Sequence, residues 1–398
     1  ERFERMAQDV FTRFGFEPIR TPVMEEADLF RRSVGESTDI VQKEMYEFED
    51  RGHTRIALRP EGTAGVVRAF IENHLAHESA VRKFYYYGPM FRAERPQAGR
   101  MRQFHQIGLE SLGSDSVRAD TEIMQALAAF LNAAGIRGAE FQINCLGDPD
   151  DRKRYAGELR SYLERRIGDI CETCRIRMDA NVMRVLDCKN PSCRDVVRDA
   201  PKILESVKDA YRAELEVVLG VLAESGIKGR YNPTVVRGLD YYTRIVFEVT
   251  HPDLGSQDAL AAGGRYDLLV KQLGGRATPA VGCALGMERL VMAMKAAGDP
   301  ASGPRIVVVA LGESAQQPGY RLLSQIRAEG FDSDMDFENR SLKAQLRRAE
   351  KCGARWCLIL GDNEIQKQTV IIKDMTEGGG QNEIPAGDVL GHLRKVLQ

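Results

Sequence analysis

The densest run of reactive side-chain types in this chain lies between Phe84 and Glu110. Arg92, Glu94, Arg95, Arg100 and Arg102 precede Phe104, His105, Gln106 and Glu110. Two extended segments flank an Arg- and Gly-rich loop at 94–102. Arginine's planar fork matches phosphate oxygens, and an aromatic side chain at a strand start can stack on a base. Strand alternation puts Phe104, Gln106, Gly108 and Glu110 on one face. Burying that Gln and Glu is costly unless a polar ligand satisfies them. The stretch reads as a solvated hairpin tip or as a clamp for a nucleotide phosphate.

Three further clusters share this character. Arg59-Pro60-Glu61-Gly62-Thr63 sets a carboxylate and a hydroxyl at a strand-to-helix turn, which is equally the composition of a helix N-cap. Arg237-Gly238-Leu239-Asp240-Tyr241-Tyr242-Thr243 crowds a cation and two phenols around a glycine; the plainer alternative is a turn with surface tyrosines. Gly282-Cys283-Ala284-Leu285-Gly286-Met287-Glu288-Arg289 puts Arg289 in the first turn of an apolar helix, where an arginine is usually just solvated. None of these is a dinucleotide or Walker loop. Cys171-x2-Cys174 and Cys188-x4-Cys193 form two close thiol pairs. Their spacing fits a structural tetrahedral Zn2+, the alternative being free thiols.

These clusters need elements to hold them. Apolar spacing at Phe3, Met6, Val10, Phe11 and Phe14 predicts a helix over 2–14, ended by Gly15. Pro18 and Pro22 make 16–23 extended. Strands are expected at 45–49, 55–58, 82–91, 103–112, 139–146, 234–237 and 243–250, close enough in sequence to pair mainly antiparallel. Helices are expected at 63–75 and 119–134, and 282–297 reads as a strand turning into a helix. Residues 150–230 are helical and charge-rich, and read as an insertion into a larger domain, 1–299. Gly298–Pro304 has linker composition. Beyond it, 305–398 alternates strand and helix: strands 305–311, 331–336, 356–361 and 367–374, helices 319–328, 341–352 and 386–397. That pattern predicts a separate α/β domain.

With 398 residues the chain is long enough for two or three domains. A hydrophobic content of 43% excludes disorder as the main state, and no uncharged apolar run approaches the ~18 residues of a membrane span. The net charge of −2 means that any contact with nucleic acid uses local patches. One candidate is 152–177, with eight basic residues against four acidic ones; the alternative is a solvated helix face. The C-terminal 305–398 is balanced at 13 of each sign. Eight cysteines are no disulfide scaffold and fit a reducing, cytoplasmic setting. The chain begins at Glu1 rather than Met, so an N-terminal piece is expected to precede it.

Together the clusters resemble the class II aminoacyl-tRNA synthetases, and within them the histidyl-tRNA synthetases. Gly15 through Pro22 is similar to motif 1, with Pro22 as its proline. Phe91-Arg92-Ala93-Glu94 with Arg100-Met101-Arg102-Gln103-Phe104 is similar to motif 2, and Leu285-Gly286-Met287-Glu288-Arg289 to motif 3. The histidine-type pieces are Arg237-Gly238-Leu239-Asp240-Tyr241-Tyr242 and Ala262-Gly263-Gly264-Arg265-Tyr266-Asp267.

The resemblance implies an α/β (α+β) fold: an antiparallel sheet with helices, a mainly helical insertion and a C-terminal α/β anticodon-binding domain. It implies a homodimer across motif 1, with ATP, Mg2+, L-histidine and tRNA(His) as partners and no membrane. Arg92, Arg237 and Arg289 would be catalytic. Arg92, Glu94, Arg100, Phe104 and Arg289 would bind ATP. Glu61, Gly62, Thr63, Gln106, Glu110, Tyr241, Tyr242 and Tyr266 would bind histidine, Glu110 accepting from the imidazole. The insertion would approach the acceptor arm of the tRNA. Cys171, Cys174, Cys188 and Cys193 are no hallmark of the family. The rival reading is a catalytically silent relative serving as the regulatory subunit of ATP phosphoribosyltransferase, which typically lacks the anticodon domain and has eroded motifs. A generic RNA-binding module explains the Arg loop but not the buried Gln and Glu.

Overall fold

Phe3, Ala7, Val10 and Phe11 occupy one face of the helix Arg2–Arg13 and are all buried. Gly15, at φ 76°, turns the chain out of it into Glu17–Pro18. That two-residue strand pairs in parallel with Phe84 and Tyr85 at the edge of a larger sheet, the position a proline tolerates. This computed structural model describes residues 1–35, 38–97, 99–257, 259–297, 305–338 and 340–396. The linker-like Gly298–Pro304 lies outside the described residues. The chain divides into two compact units, Glu1–Gly298 and Asp299–Gln398.

The first unit is built on an eight-stranded sheet. Arg82–Phe91 and Gln103–Leu112 form a long antiparallel hairpin, in register from Arg82 opposite Leu112 to Phe91 opposite Gln103. Beyond it come Ala280–Gly286, Ala259–Arg265, Thr243–Thr250 and Glu140–Cys145, each antiparallel to the last. Gly229–Tyr231 closes the far edge in parallel. One face is covered by Arg2–Arg13, Val117–Ala133 and Asp209–Glu224, which share an apolar core with the strands. The other face carries Thr63–Glu72 and the helices Pro149–Glu164, Glu172–Ala180 and Pro191–Arg198, which share a second core. Met24–Glu26, Arg55–Leu58 and Glu47–Glu49 form a small sheet of their own, so the expected strands at 45–49 and 55–58 do not join the main one.

Two readings of local structure change. Residues 234–237 are not a strand. Asn232 Oδ1 accepts from the Thr234 N–H and hydroxyl, and Asn144 donates to the carbonyls of Pro233 and Val235. Side chains thereby take the hydrogen bonds that a ladder would have used. The stretch 150–230 is helical as expected, but its last part belongs to the main body: Leu215, Val218 and Leu222 of Asp209–Glu224 enter the first core.

In the second unit Arg305–Ala310 lies between Ser333–Met335 and Ala354–Leu360, parallel to both. Thr369–Asp374 and Gln381–Pro385 extend the sheet antiparallel. Helix Glu313–Ala328 begins six residues before the expected start and carries Pro318 inside it; losing one N–H near a helix start leaves most of the ladder intact. Asp362–Lys367 and Gln381–Pro385, both short, had no periodic signal.

Candidate active site

A cavity of about 770 Å3 opens over the sheet within the first unit. Its floor follows from register. Gly108, Ala284, Ala262, Glu248 and Gln142 are neighbours across five strands, and Glu110, Gly282, Gly264 and Val246 form the next row on the same face. Glycine and alanine in the two middle strands keep the floor low. A Cβ at Gly282 would stand 1.8 Å from Glu110 Oε2.

Arginines line one side. Arg92 leaves the hairpin at Phe91, its Nε donating to the Pro60 carbonyl at 2.9 Å and its guanidinium 5.2 Å from the Phe104 ring centroid. Glu94 sits 3.1 Å from Arg100 and 3.8 Å from Arg92. Arg289 starts the helix Met287–Ala297 and donates to the carbonyls of Ala259, at 2.6 Å, and Gly99. It thus ties the 94–102 loop to the sheet. Glu288 accepts from the His105 N–H. Arg237 lies across the cavity in an ion pair with Glu248, its guanidinium 5.9 Å from the Tyr242 ring.

A buried carboxyl–phenol cup forms the other end. Glu61 Oε2 and Oε1 accept the N–H groups of Thr63 and Ala64, capping the helix Thr63–Glu72 while still lining the cavity. Although Gly62 is the N-cap residue, the Glu61 side chain both satisfies the first helical N–H groups and lines the pocket. Burial pushes the Glu61 carboxyl up from its ordinary value. Tyr241 packs at 4.6 Å from Tyr242 and 5.7 Å from Tyr266. Gln106 reaches the same space, and its buried Oε1 has no hydrogen-bond partner.

Two expected residues do not reach the cavity surface. Gly62 packs on Tyr86: a Cβ there would stand 2.3 Å from the ring, and one at Gly108 2.1 Å. Both glycines make the slot that Tyr86 fills. Glu110 is fully buried beneath the floor. Its Oε1 accepts from Thr63 Oγ1 at 2.7 Å and Tyr86 at 3.2 Å, and its Oε2 from the Tyr266 hydroxyl. Burial, with no cation beside it, raises its pKa to about 8. Every other expected nucleotide or histidine residue lines this one cavity.

Sequence reasoning missed Tyr86 and Glu248. The three consecutive tyrosines 85–87 gave no face assignment without the register of the hairpin. Glu248, the single carboxylate in the apolar strand Thr243–Thr250, was the available signal for an Arg237 partner. Arg265, inside a histidine-type piece, turns away from the cavity into a fully buried ion pair with Asp120, bonding also to the carbonyls of Ser114 and Ser116.

Beside the cavity, which Cys188 lines, the Sγ atoms of Cys171, Cys174, Cys188 and Cys193 all lie within 4.8 Å of one another, and among the described residues they form the one group of at least three metal-ligand atoms so close. No helix among the described residues is long and apolar enough to cross a membrane.

The family model described as histidyl-tRNA synthetase matches residues 1–290, and the anticodon binding domain model matches 305–396. The Histidine--tRNA ligase of Natranaerobius thermophilus is 45% identical over 397 residues, 99% of this chain and 94% of that protein. That of Oleidesulfovibrio alaskensis is 46% identical over 378 residues, 94% of this chain and 91% of that protein. The crystal structure of apo S. aureus histidyl-tRNA synthetase matches with a TM-score of 0.77 at 30% identity, covering 98% of this chain and 94% of that chain.

Proposed function

We infer the activity of this chain from one premise: it belongs to the histidyl-tRNA synthetase family. The chain joins L-histidine to tRNA(His). In the first step a histidine carboxylate oxygen attacks the α-phosphorus of ATP, and pyrophosphate leaves. In the second, a hydroxyl of the terminal ribose attacks the acyl carbon, and AMP leaves. No side chain is a nucleophile, so the protein contributes placement and charge neutralisation.

One observation carries this reading: Arg92, Arg237 and Arg289 line the same cavity as Gln106, Tyr241, Tyr242 and Tyr266. Arg92 is anchored through Nε, so its Nη atoms can take the α-phosphate without losing the anchor. Phe104 stacks on adenine with Glu94 at its exocyclic amine, and Arg100 belongs to the same loop. Arg289 meets the far phosphates. Arg237 serves the carboxylate and α-phosphate. Mg2+ enters as part of the nucleotide substrate. Of the carboxylates lining the cavity, Glu94, Glu248 and Glu288 are engaged by Arg100, Arg237 and His105, Glu61 by the Thr63 and Ala64 N–H groups, and Asp187 by Arg177 and Arg184, which supports a metal carried by the nucleotide phosphates.

At the other end, Glu61 and the Thr63 oxygen receive the ligand ammonium. A neutral imidazole offers one donor and one acceptor, which Gln106 and the tyrosine hydroxyls match. Glu110 stands behind those hydroxyls as a positioning residue rather than reaching the imidazole directly, and Gly62 admits Tyr86 to it. The burial of Glu110 and the engagement of both its oxygens by the Thr63, Tyr86 and Tyr266 hydroxyls support this indirect role over the direct imidazole contact that the resemblance implies.

Residues 1–299 act as the catalytic domain, with the part of the 150–230 insertion that precedes helix Asp209–Glu224 approaching the acceptor arm and 305–398 reading the anticodon. The exposed Met24 and Phe48 of the small sheet beside motif 1 fit a homodimer interface, and the free thiols fit a cytoplasmic setting. The regulatory-subunit reading is disfavoured by the intact arginines and the matched anticodon domain. Pyrophosphate exchange into ATP with each of the twenty amino acids tests the assignment. Histidine alone should support exchange, followed by charging of tRNA(His); exchange with another amino acid, or with none, would overturn it.

A further inference from the structure

The four clustered thiols lie on the insertion, and their arrangement is that of a closed metal site. Cys171 is the N-cap of helix Glu172–Ala180, and Cys174 sits in its first turn, fully buried. Cys193 sits in the first turn of Pro191–Arg198, also fully buried, and Cys188 precedes that helix. Two short helices thus present their N-terminal turns to one point. The Cys171 N–H donates to Cys193 Sγ at 3.2 Å, and Cys171 Sγ lies 3.9 Å from Cys188 Sγ. Zn–S bonds of about 2.3 Å in a tetrahedron put sulfurs about 3.8 Å apart. A disulfide needs about 2.05 Å. The thiols are therefore spaced for an ion between them. The adjoining Asp187 carboxylate is held by Arg177 at 3.5 Å and Arg184 at 3.3 Å, which leaves an all-sulfur donor set. Such soft ligands select Zn2+ over hard cations.

We propose that Cys171, Cys174, Cys188 and Cys193 bind one structural Zn2+, and that this ion fixes the segment 186–198 as a wall of the reactive cavity. Helices of nine and eight residues are marginal by themselves, and a tetrathiolate ion supplies the missing cross-link. Cys188 itself lines the cavity, as do Lys189, Arg194 and Arg198. The metal therefore orders a basic rim directly beside the arginines described above. The role of that rim in the tRNA step rests on the function proposed above; the metal site does not.

The test uses the full chain purified under reductant. Elemental analysis should find one zinc per chain. Reconstitution of stripped protein with Co2+ alone should give a thiolate-to-metal charge-transfer band and protect four of the eight thiols from a thiol reagent. Cys193→Ser should abolish that band, and Cys352→Ser, in the other unit, should retain it. Should Cys193→Ser fail to fold, thiol protection in the unaltered chain decides alone. Absence of zinc and of the cobalt band, or disulfides among these cysteines in the reduced protein, would overturn the site. Zinc removal should raise amide hydrogen exchange across 171–198 and the KM for tRNA by about tenfold or more, leaving histidine-dependent pyrophosphate exchange within about threefold. Unchanged exchange rates across 171–198, or equal losses in both reactions, would overturn the wall. A zinc-loaded chain with no pyrophosphate exchange at all would sink the functional reading and leave the metal site standing.

Discussion

The two ends of the cavity solve opposite electrostatic problems. At the arginine end, Arg92, Arg100 and Arg289 remain partly solvated and rest on main-chain carbonyls or on Glu94. Such partners orient a guanidinium without neutralising it, or yield readily to a phosphate. At the cup end, Glu110 is sealed from water and surrounded by hydroxyls, with its pKa raised to about 8. One end is charged and exchangeable; the other is close to neutral and geometrically locked. The first suits a polyanion whose charge changes during reaction. The second suits a side chain recognised by its hydrogen-bonding pattern, where a missing partner leaves buried groups unpaired.

The sharpest way to break this comparison is an arginine that belongs to neither end. Arg265 is next to Tyr266 in sequence yet pairs with Asp120 in the core. Arg265→Ala should destabilise the first unit by about 3–5 kcal/mol, because a lone buried carboxylate remains. Thermal melting checks it; a loss of activity without loss of stability would place Arg265 in the site instead. Next in size, Arg92→Ala should lower the rate of adenylate formation by about 10²–10³-fold, with the histidine KM nearly unchanged. Single-turnover kinetics would show it. A loss confined to histidine affinity would dissolve the distinction between the two ends.

Legibility differed between those ends for the same physical reason. Apart from Arg289, the arginine end is local: Arg92 to Phe104 is one hairpin, and strand alternation within it is visible in the chain. The cup is assembled across the sheet. Tyr86 meets Glu110 because the hairpin register sets it opposite Gly108, but Glu110 sits low, and meets Tyr266, only because the distant strand Ala280–Gly286 sets Gly282 against it. No local pattern states a register between strands more than a hundred residues apart. The same holds for 234–237, where valines suggested a strand until Asn144 and Asn232 claimed the backbone. The main helices and strands, with strong periodicity, were readable; the short Asp362–Lys367 and Gln381–Pro385 were not.

A pH series sharpens the neutral end. The Glu110 pKa in the folded chain lies above its ordinary value, so between about pH 4.5 and 8 the unfolded chain releases this proton while the folded chain keeps it. Its contribution to stability therefore falls as pH rises through that window. Glu110→Gln removes the titration, so its melting temperature relative to the parent should climb from pH 5 to pH 8, by roughly 2–4 °C for each kcal/mol gained. A difference that is flat in pH would mean that Glu110 is ionised throughout. The smallest effect is expected at the loop: Arg100 is 41% exposed, and Arg100→Ala should raise the ATP KM only several-fold, since a solvated pair contributes about 1 kcal/mol or less.

The division of labour is tested most directly by titrating histidine and ATP separately in pyrophosphate exchange with Glu110→Gln. Its histidine KM should rise by roughly 10–100-fold while its ATP KM stays within about threefold. Parallel increases in both, or an unchanged histidine KM, would contradict a cup that holds the imidazole apart from the nucleotide.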